Sequence, residues 1–272
     1  MLEVIVFGKF KDHSLKDMKK YFMRAMKRPF YSGNEYECTV CETGVSSFKP
    51  AWKSLERELS TFIYPVDSFE TFNRKALICP ACDASDRDRL CALYFRERLA
   101  SSGGRLRVLD FAPNLANSRW LRGEKRIDYY SADLFRPKVD LRLDIQNMHE
   151  LADQSFDALI CSHVLEHVPD DKAAMRELYR ILKQGGFAII MVPLVLGVTR
   201  TQEDPSHDSE ALRKMHYAQC DHLRLYGTLD FVEGLESVGF SVRRLDAGYF
   251  GLDLFRKAAI TGTSALYVAT KP

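Results

Sequence analysis

The sequence predicts an α/β protein built on an open, mostly parallel sheet. Three observations carry that prediction. Apolar runs of strand length recur between Arg107 and Leu194, in "RVLDFAPN", "YYSADLF", "FDALICS" and "GFAIIMVPL". Patterns of helical period lie between several of them, the layout of β-α-β crossovers. The runs end in acidic or small polar residues, and in open α/β sheets the ligand crevice lies outside those carboxyl ends.

At 272 residues the chain suits one large domain or two small ones. Its 46% hydrophobic and 28% charged residues are those of a globular protein with a sizeable core. A net charge of +2 argues neither for nor against a nucleic-acid partner. Met1 to Phe10 is a short apolar run broken by Lys9, unlike a signal peptide. No apolar run approaches the roughly 20 residues of a membrane span. The expectation is a cytoplasmic protein whose seven cysteines are thiols or metal ligands rather than disulfides.

In chain order, Leu2 to Phe7 suits a short strand. Ser14 to Arg28 reads as a helix with Leu15, Met18, Phe22 and Met26 on one face, stopped by Pro29. Residues 1–37 form a basic arm, with eight Lys or Arg between Lys9 and Arg28. Residues 38–100 hold two Cys pairs and a helix from Asp86 to Leu99. Ser101-Ser102-Gly103-Gly104 reads as a linker, and residues 101–272 as the catalytic domain. There, strands are expected at Leu106–Phe111, Asp128–Ala132, Val139–Leu143, Phe156–Ser162, Phe187–Val192, Ser241–Leu245 and Ala265–Thr270. Helices are expected at Ala116–Arg122, at Asp170–Lys183 with Asp170 as N-cap and Gly185-Gly186 as its stop, and at Thr228–Val238 closed by Gly239. Residues 194–227 are polar, weakly periodic and placed to form a substrate lid.

The strand ends point to a nucleoside-like cofactor. Asp110 ends the first strand, and Asp133 follows 23 residues later at the end of the second. That spacing suits a carboxylate gripping ribose hydroxyls. Asp144 follows the third strand, where it can accept from an adenine amino group. A dinucleotide would need a glycine-rich turn against its pyrophosphate. The turn here is "DFAPNLAN", without glycine. S-adenosylmethionine has no phosphate, and its sulfonium suits acidic strand ends.

Residues 107–194, and "SFDALICSHVLEHVPDDKAAMRELYRILKQGG" above all, resemble class I S-adenosylmethionine-dependent methyltransferases of the methyltransferase-11 type. "CPACDASDRDR", "RTQEDPSHD" and "QCDHLRLYG" are similar to a bacterial subgroup that joins a Cys-pair zinc module to such a domain. The resemblance implies a Rossmann-like seven-stranded sheet with its last strand antiparallel, and an acceptor on cell-surface sugars. It implies Asp110, Phe111, Ala112 and Pro113 around the methionine part of the cofactor. Asp133 with Leu134 would hold ribose, Asp144 with Ile145 the adenine, and Ser162 and His163 would lie near the sulfonium. The family's first motif contains glycines and this one does not. Pro113 has no N–H, so Ala112 or Asn114 would have to donate.

"HVLEH", His163 to His167, also matches the H-x-x-E-H string of some zinc proteases. That chemistry needs both histidines on one helix face, and Pro169 forbids a long helix here. Cys38 with Cys41 and Cys79 with Cys82 are two C-x-x-C knuckles separated by 37 residues. Together they supply four thiolates for a closed, structural Zn²⁺ site, with a helix or hairpin filling the gap.

Methyl transfer to a hydroxyl needs a base, and histidine suits neutral pH. The lid holds Asp204, His207, Asp208, His216, Asp221 and His222. His222 is the expected base, oriented by Asp221 or Asp204, with His167 as the second candidate. A divalent ion held by the lid acids is another reading. The function expected is O-methylation of a sugar or glycan-linked small molecule. One alternative is an RNA methyltransferase gripping phosphates through the Cys module and arm. The Asp/Asn-Pro-Pro-aromatic tetrapeptide used on base amines is replaced by "SHVL", which disfavours a nucleic-acid acceptor. A second alternative is a non-catalytic interaction protein.

Overall fold

The computed structural model describes residues 30–101 and 103–272. The strand expected at Leu2–Phe7 and the helix at Ser14–Arg28 lie outside the described residues. Among those described, the chain is mixed α/β with eight strands in two sheets.

The smaller sheet is a hairpin of β1 (Ser32–Glu37) and β2 (Gly44–Val45), whose turn carries Cys38 and Cys41. After it come α1 (Lys53–Glu58) and two 3-10 turns, Leu59–Thr61 and Val66–Ser68. A helix therefore fills the gap between the knuckles. The long helix α2 (Asp86–Ser101) follows the second pair.

The main sheet joins β3 (Leu106–Phe111), β4 (Ile127–Ala132), β5 (Phe156–Ser162), β6 (Leu182–Met191), β7 (Ser241–Leu245) and β8 (Leu266–Thr270), in the order β4-β3-β5-β6-β8-β7. β3, β4, β5 and β6 pair in parallel, and β8 runs antiparallel between β6 and β7. The last strand is antiparallel, as expected.

Among the described residues the sheet has six strands rather than seven. Val139–Leu143 forms one parallel bridge, Ala132 to Leu141, and no strand. The Asp140 carboxylate takes the Ser131 backbone N–H at 2.8 Å and the Ser131 hydroxyl at 2.6 Å. A side chain thus occupies a donor that an edge ladder would use.

Central strands are apolar on both sides, as parallel strands covered on two faces must be. Leu109, Phe111, Leu159 and Cys161 face α4 (Asp171–Ile181) and α6 (Thr228–Ser237). Val108, Ala158, Ile160 and Phe187 face α2, α3 (Leu115–Gly123) and α8 (Leu252–Lys257). Asp170 caps α4 by accepting from Ala173 N–H at 2.8 Å. That helix ends at Ile181, before the glycines, because β6 begins at Leu182, opposite Phe156. Between β6 and α6 lies α5 (Glu210–Tyr217), and α7 (Ala247–Phe250) precedes α8. Gly239 follows α6 with φ +110°, a left-handed geometry that favours glycine.

α2 buries Leu90, Tyr94, Phe95 and Leu99 in the same core as β3, so the helix and the sheet share one core. The segment between the knuckles is also tied in. Leu55, Leu59, Phe62 and Leu77 share an apolar cluster with Val195, Val198, Tyr217 and Leu225. Glu70 N–H donates to Leu194 O, and Leu196 N–H to Ser68 O.

Arg89, fully buried, fastens these parts together. Its Nε donates to Ala258 O at 2.7 Å. Nη1 reaches Leu77 O and Ala84 O, while Nη2 reaches Ala76 O and Ala259 O. The guanidinium carbon lies 3.9 Å from the Phe48 ring centroid. Arg89→Met keeps the stem but leaves the Ala76, Leu77 and Ala258 carbonyls without their donor, whereas Ala84 O and Ala259 O keep Cys79 N–H and Asn73 Nδ2. It is expected to destabilise the fold by at least about 3 kcal/mol, read as a lower urea midpoint.

Candidate active site

The carboxyl ends of β3, β4, β5 and β6 open onto a cleft of 2230 Å³, with the lid and the 49–87 segment as its other walls. Phe111, Ala112, Pro113, Asp133, Leu134 and His163 line it at strand ends or just beyond, and Asp144 and Ile145 line it from the loop between β4 and β5.

The turn after β3 achieves without glycine what a glycine would supply. Ala112 takes φ +49°, the left-handed region. Its N–H is spent on Ala132 O at 2.8 Å, and Pro113 has none. Asn114 is then the first residue of the turn with an N–H to offer. Asn114 also caps α3 by accepting from Ala116 N–H at 2.8 Å.

Asp133 is held for a ligand by its own loop. Oδ1 accepts from Phe135 N–H and Arg136 N–H at 2.8 and 2.9 Å. Oδ2 lies 3.3 Å from Arg136 Nε, and the same guanidinium donates to Pro113 O at 2.9 Å. Arg136, which sequence reasoning missed, ties the two strand-end loops across the crevice. Asp144 accepts from Gln146 N–H at 2.9 Å, and apolar Leu134, Leu143 and Ile145 share its part of the cleft.

Two expected cofactor contacts do not reach the cleft. Asp110 is buried behind it and accepts from Tyr129 OH at 2.8 Å, because strand alternation turns it away from Phe111's side. Burial pushes its carboxyl up to about 7, against the lowering effect of the tyrosine. Ser162 likewise lies off the lining, whereas His163, with φ +58°, turns into it.

The lid divides. His207 and His216 stack on each other at 3.9 Å, and Asp204 accepts from Ser206, all away from the cleft. Only Asp221 and His222 of the candidate lid residues line it. Arg224, 2% exposed, sets their position. It donates to Leu165 O, Val168 O and Pro169 O, and pairs with both Glu203 oxygens at 2.8 Å.

His222 therefore meets different partners from those expected. Its Nδ1–H donates to Tyr217 O at 2.6 Å, and its Nε2 faces Glu166 Oε1 at 3.9 Å. Neither Asp221 nor Asp204 orients it. Asp221 Oδ2 instead faces His167 Nδ1 at 3.4 Å. Glu166, wholly buried, is the centre of the group. Its Oε1 lies 4.0 Å from His167 Nε2 and 3.3 Å from His163 Nδ1. The signal for it was present, as the glutamate of "HVLEH". Burial raises Glu166 to about 7 and lowers His222 to about 3. Burial also pulls His167 down, but the Asp221 and Glu166 carboxylates outweigh it and leave His167 raised.

A second polar cluster lies under the cleft floor. Cys38 and Cys82 Sγ are 3.7 Å apart, and Cys41 and Cys79 Sγ 3.9 Å. The knuckles are alike. Glu42 N–H returns to Cys38 O and Asp83 N–H to Cys79 O, with Glu42 and Asp83 both in the left-handed region. All four sulfurs can serve one ion.

Residues 91–190 match the family model Methyltransf_11, described as a methyltransferase domain. That block of the chain is similar to a methyltransferase domain. A ubiquinone biosynthesis O-methyltransferase of Xanthomonas oryzae pv. oryzae is 33% identical over 93 residues, which is 33% of this chain and 34% of that protein. A demethylmenaquinone methyltransferase of Clavibacter sepedonicus is 33% identical over 105 residues, 36% of this chain and 38% of that protein. The chain thus spans little more than a third of the length of these curated relatives. A solved structure of Haemonchus contortus phosphoethanolamine N-methyltransferase 2 with S-adenosyl-L-methionine is 16% identical, covers 66% of this chain and 52% of that one, and has a TM-score of 0.44. The methyltransferase domain match includes most of α2, all of β3 to β5 and all but the last residue of β6, and it stops short of the lid.

Asp110 makes the stability of the fold pH-sensitive with a defined sign. A carboxyl raised in the folded state loses stability as pH rises from about 4 through about 7. Asp110→Asn keeps an acceptor for Tyr129 and removes the titration. It is expected to match the parent near pH 4. At pH 8 it should exceed the parent by at least about 1 kcal/mol, roughly 2–4 °C in thermal melts.

Proposed function

We propose that this chain is an S-adenosylmethionine-dependent methyltransferase that transfers the methyl group to a hydroxyl of a small acceptor. The observation that carries the reading is the cleft itself. Asp133, Asp144, Ile145 and the Ala112–Asn114 turn line it together with His163, His167 and His222, and Glu166 lies buried beside those histidines. The ubiquinone biosynthesis O-methyltransferase, 33% identical over 93 residues, supports oxygen as the accepting atom. The cofactor supplies an electrophilic methyl on sulfur. The chain's residues supply the rest. Asp133 Oδ2 accepts ribose hydroxyls, with its Oδ1 already committed to the loop. Asp144 and the Ile145 backbone face the adenine within an apolar pocket. The turn at Asn114 offers its N–H to the methionine carboxylate.

In this reading the acceptor oxygen lies against the histidine-glutamate group, where its proton is handled. In-line placement of oxygen and methyl carbon, near about 3 Å, does most of the work. The expected sugar acceptor is one class among several hydroxyl-bearing molecules the cleft admits. The test is therefore label transfer from S-adenosylmethionine into a panel of nucleotide sugars, glycans, phenols and quinols. Label in RNA alone would replace this reading with the nucleic-acid one. Failure of the folded chain to bind the cofactor would end the enzymatic reading. Asp133→Asn keeps the loop's acceptor but removes the charge. Calorimetry should show cofactor affinity reduced about tenfold or more.

The four cysteines fit a structural Zn²⁺. Thiolates about 2.3 Å from a tetrahedral ion stand roughly 3.8 Å apart, which is the spacing seen here. Such a closed site leaves no open position, so its contribution is to folding rather than chemistry. Cobalt-substituted protein should show thiolate-to-metal charge-transfer absorption. Replacing Cys79 and Cys82 with serine should abolish it and lower the melting temperature. An unchanged spectrum would reject the assignment.

A further inference from the structure

The histidine-glutamate group carries polar atoms that the protein itself leaves unanswered. Both Glu166 oxygens and His222 Nε2 are buried without a hydrogen bond among the described residues, with Glu166 Oε1 3.3 Å from His163 Nδ1, while His167 Nδ1 and Asp221 Oδ2 face each other at 3.4 Å. Glu166 is 0% exposed and His222 1% exposed. A carboxylate removed from water and left unpaired costs several kcal/mol, and folded proteins rarely leave such a group unanswered. The lone pairs here converge. One ligand atom from each of Glu166, His167 and His222 lies within 4.8 Å of the others.

We propose that Glu166, His167 and His222 bind a divalent transition-metal ion of the zinc type, with an open position toward the cleft. The inference rests on the methyl-transfer reading only for what the ion does there. Two imidazoles and a carboxylate are a ligand set for zinc, iron or cobalt rather than magnesium or calcium.

The outer contacts fit as well. His222 commits Nδ1–H to Tyr217 O, which fixes the tautomer with Nε2 free to ligate. Asp221 stands behind His167 Nδ1 as the carboxylate that orients a ligating imidazole, while His167 Nε2 faces Glu166. Ligand atoms around a tetrahedral ion stand about 3.4 Å apart. The 3.9 and 4.0 Å separations from Glu166 close to that with shifts of a few tenths of an ångström. The His167 and His222 rings meet edge to face at 4.7 Å. The "HVLEH" string thus contributes Glu166 and His167, and the lid contributes the third ligand.

The ion's role follows from the cleft. An acceptor hydroxyl in the open position becomes more acidic and loses its proton to water. The resulting oxyanion attacks the methyl carbon. The carbon–sulfur bond breaks, its electron pair stays on sulfur, and a neutral thioether leaves.

The test is metal stoichiometry in the full chain after zinc loading and removal of excess. Two ions per chain are expected, one in the four-cysteine site and one here. Glu166→Gln and His222→Gln should each retain a single ion. The thiolate band of their cobalt forms should persist, which shows that the fold and the cysteine site are intact. One ion in the parent chain, or an unchanged count in both variants, would overturn the site. Selective stripping of the second ion should cut label transfer at least tenfold while leaving cofactor binding unchanged. Undiminished transfer would overturn its catalytic role. Two ions with no transfer to any acceptor would count against the methyltransferase reading alone.

Discussion

The arrangement of this protein depends on the buried guanidinium of Arg89. Its five carbonyl acceptors come from the strand-poor segment before α2 and from the turn after α8. Neither segment has a sheet ladder to satisfy those carbonyls. Without that donor, burial of the Ala76, Leu77 and Ala258 carbonyls would carry the full penalty of unpaired acceptors. The neighbouring acids serve the same junction. Asp86 accepts from the Asn73 backbone, and Asp88 from Ser85 and from Asn117 of α3. The string "CPACDASDRDR" is thus a fastening between the cysteine site and the sheet.

Arg224 does for the lid what Arg89 does for the cysteine segment. It anchors a weakly periodic stretch to three carbonyls of the loop after β5. Leu223 N–H adds a bond to Glu166 O at 2.8 Å. His222 owes its place beside Glu166 and His167 to these contacts, so the lid is part of the wall.

The central strands were legible because burial on both faces demands unbroken apolar runs. The knuckles were legible because each is a local turn with its ligands three residues apart. Val139–Leu143 misled because its hydrophobic alternation is that of a strand, whereas Asp140 competes for the ladder as a side chain. Asp110 misled for a related reason. Its position at a strand end was read correctly, but strand alternation turns it away from Phe111's side, toward the hydroxyl of Tyr129 on the next strand. The packing of residues 50–78 on the lid left no mark in either segment, since it joins apolar residues more than 100 positions apart. Glu166 was visible as part of a familiar string, and its partner His222 only became its neighbour through Arg224.

The division of the cleft has a consequence for how such a protein diversifies. The wall that faces the proposed methyl donor lies within residues 91–190. The walls that would meet the acceptor come mostly from residues 49–87 and 194–222, which lie outside that block and are fastened by two arginines and one apolar cluster. Side chains on those outer walls can change without disturbing strand register or the turn at Ala112. Acceptor choice is then inherited separately from donor chemistry, and chains with the same central block can serve different substrates.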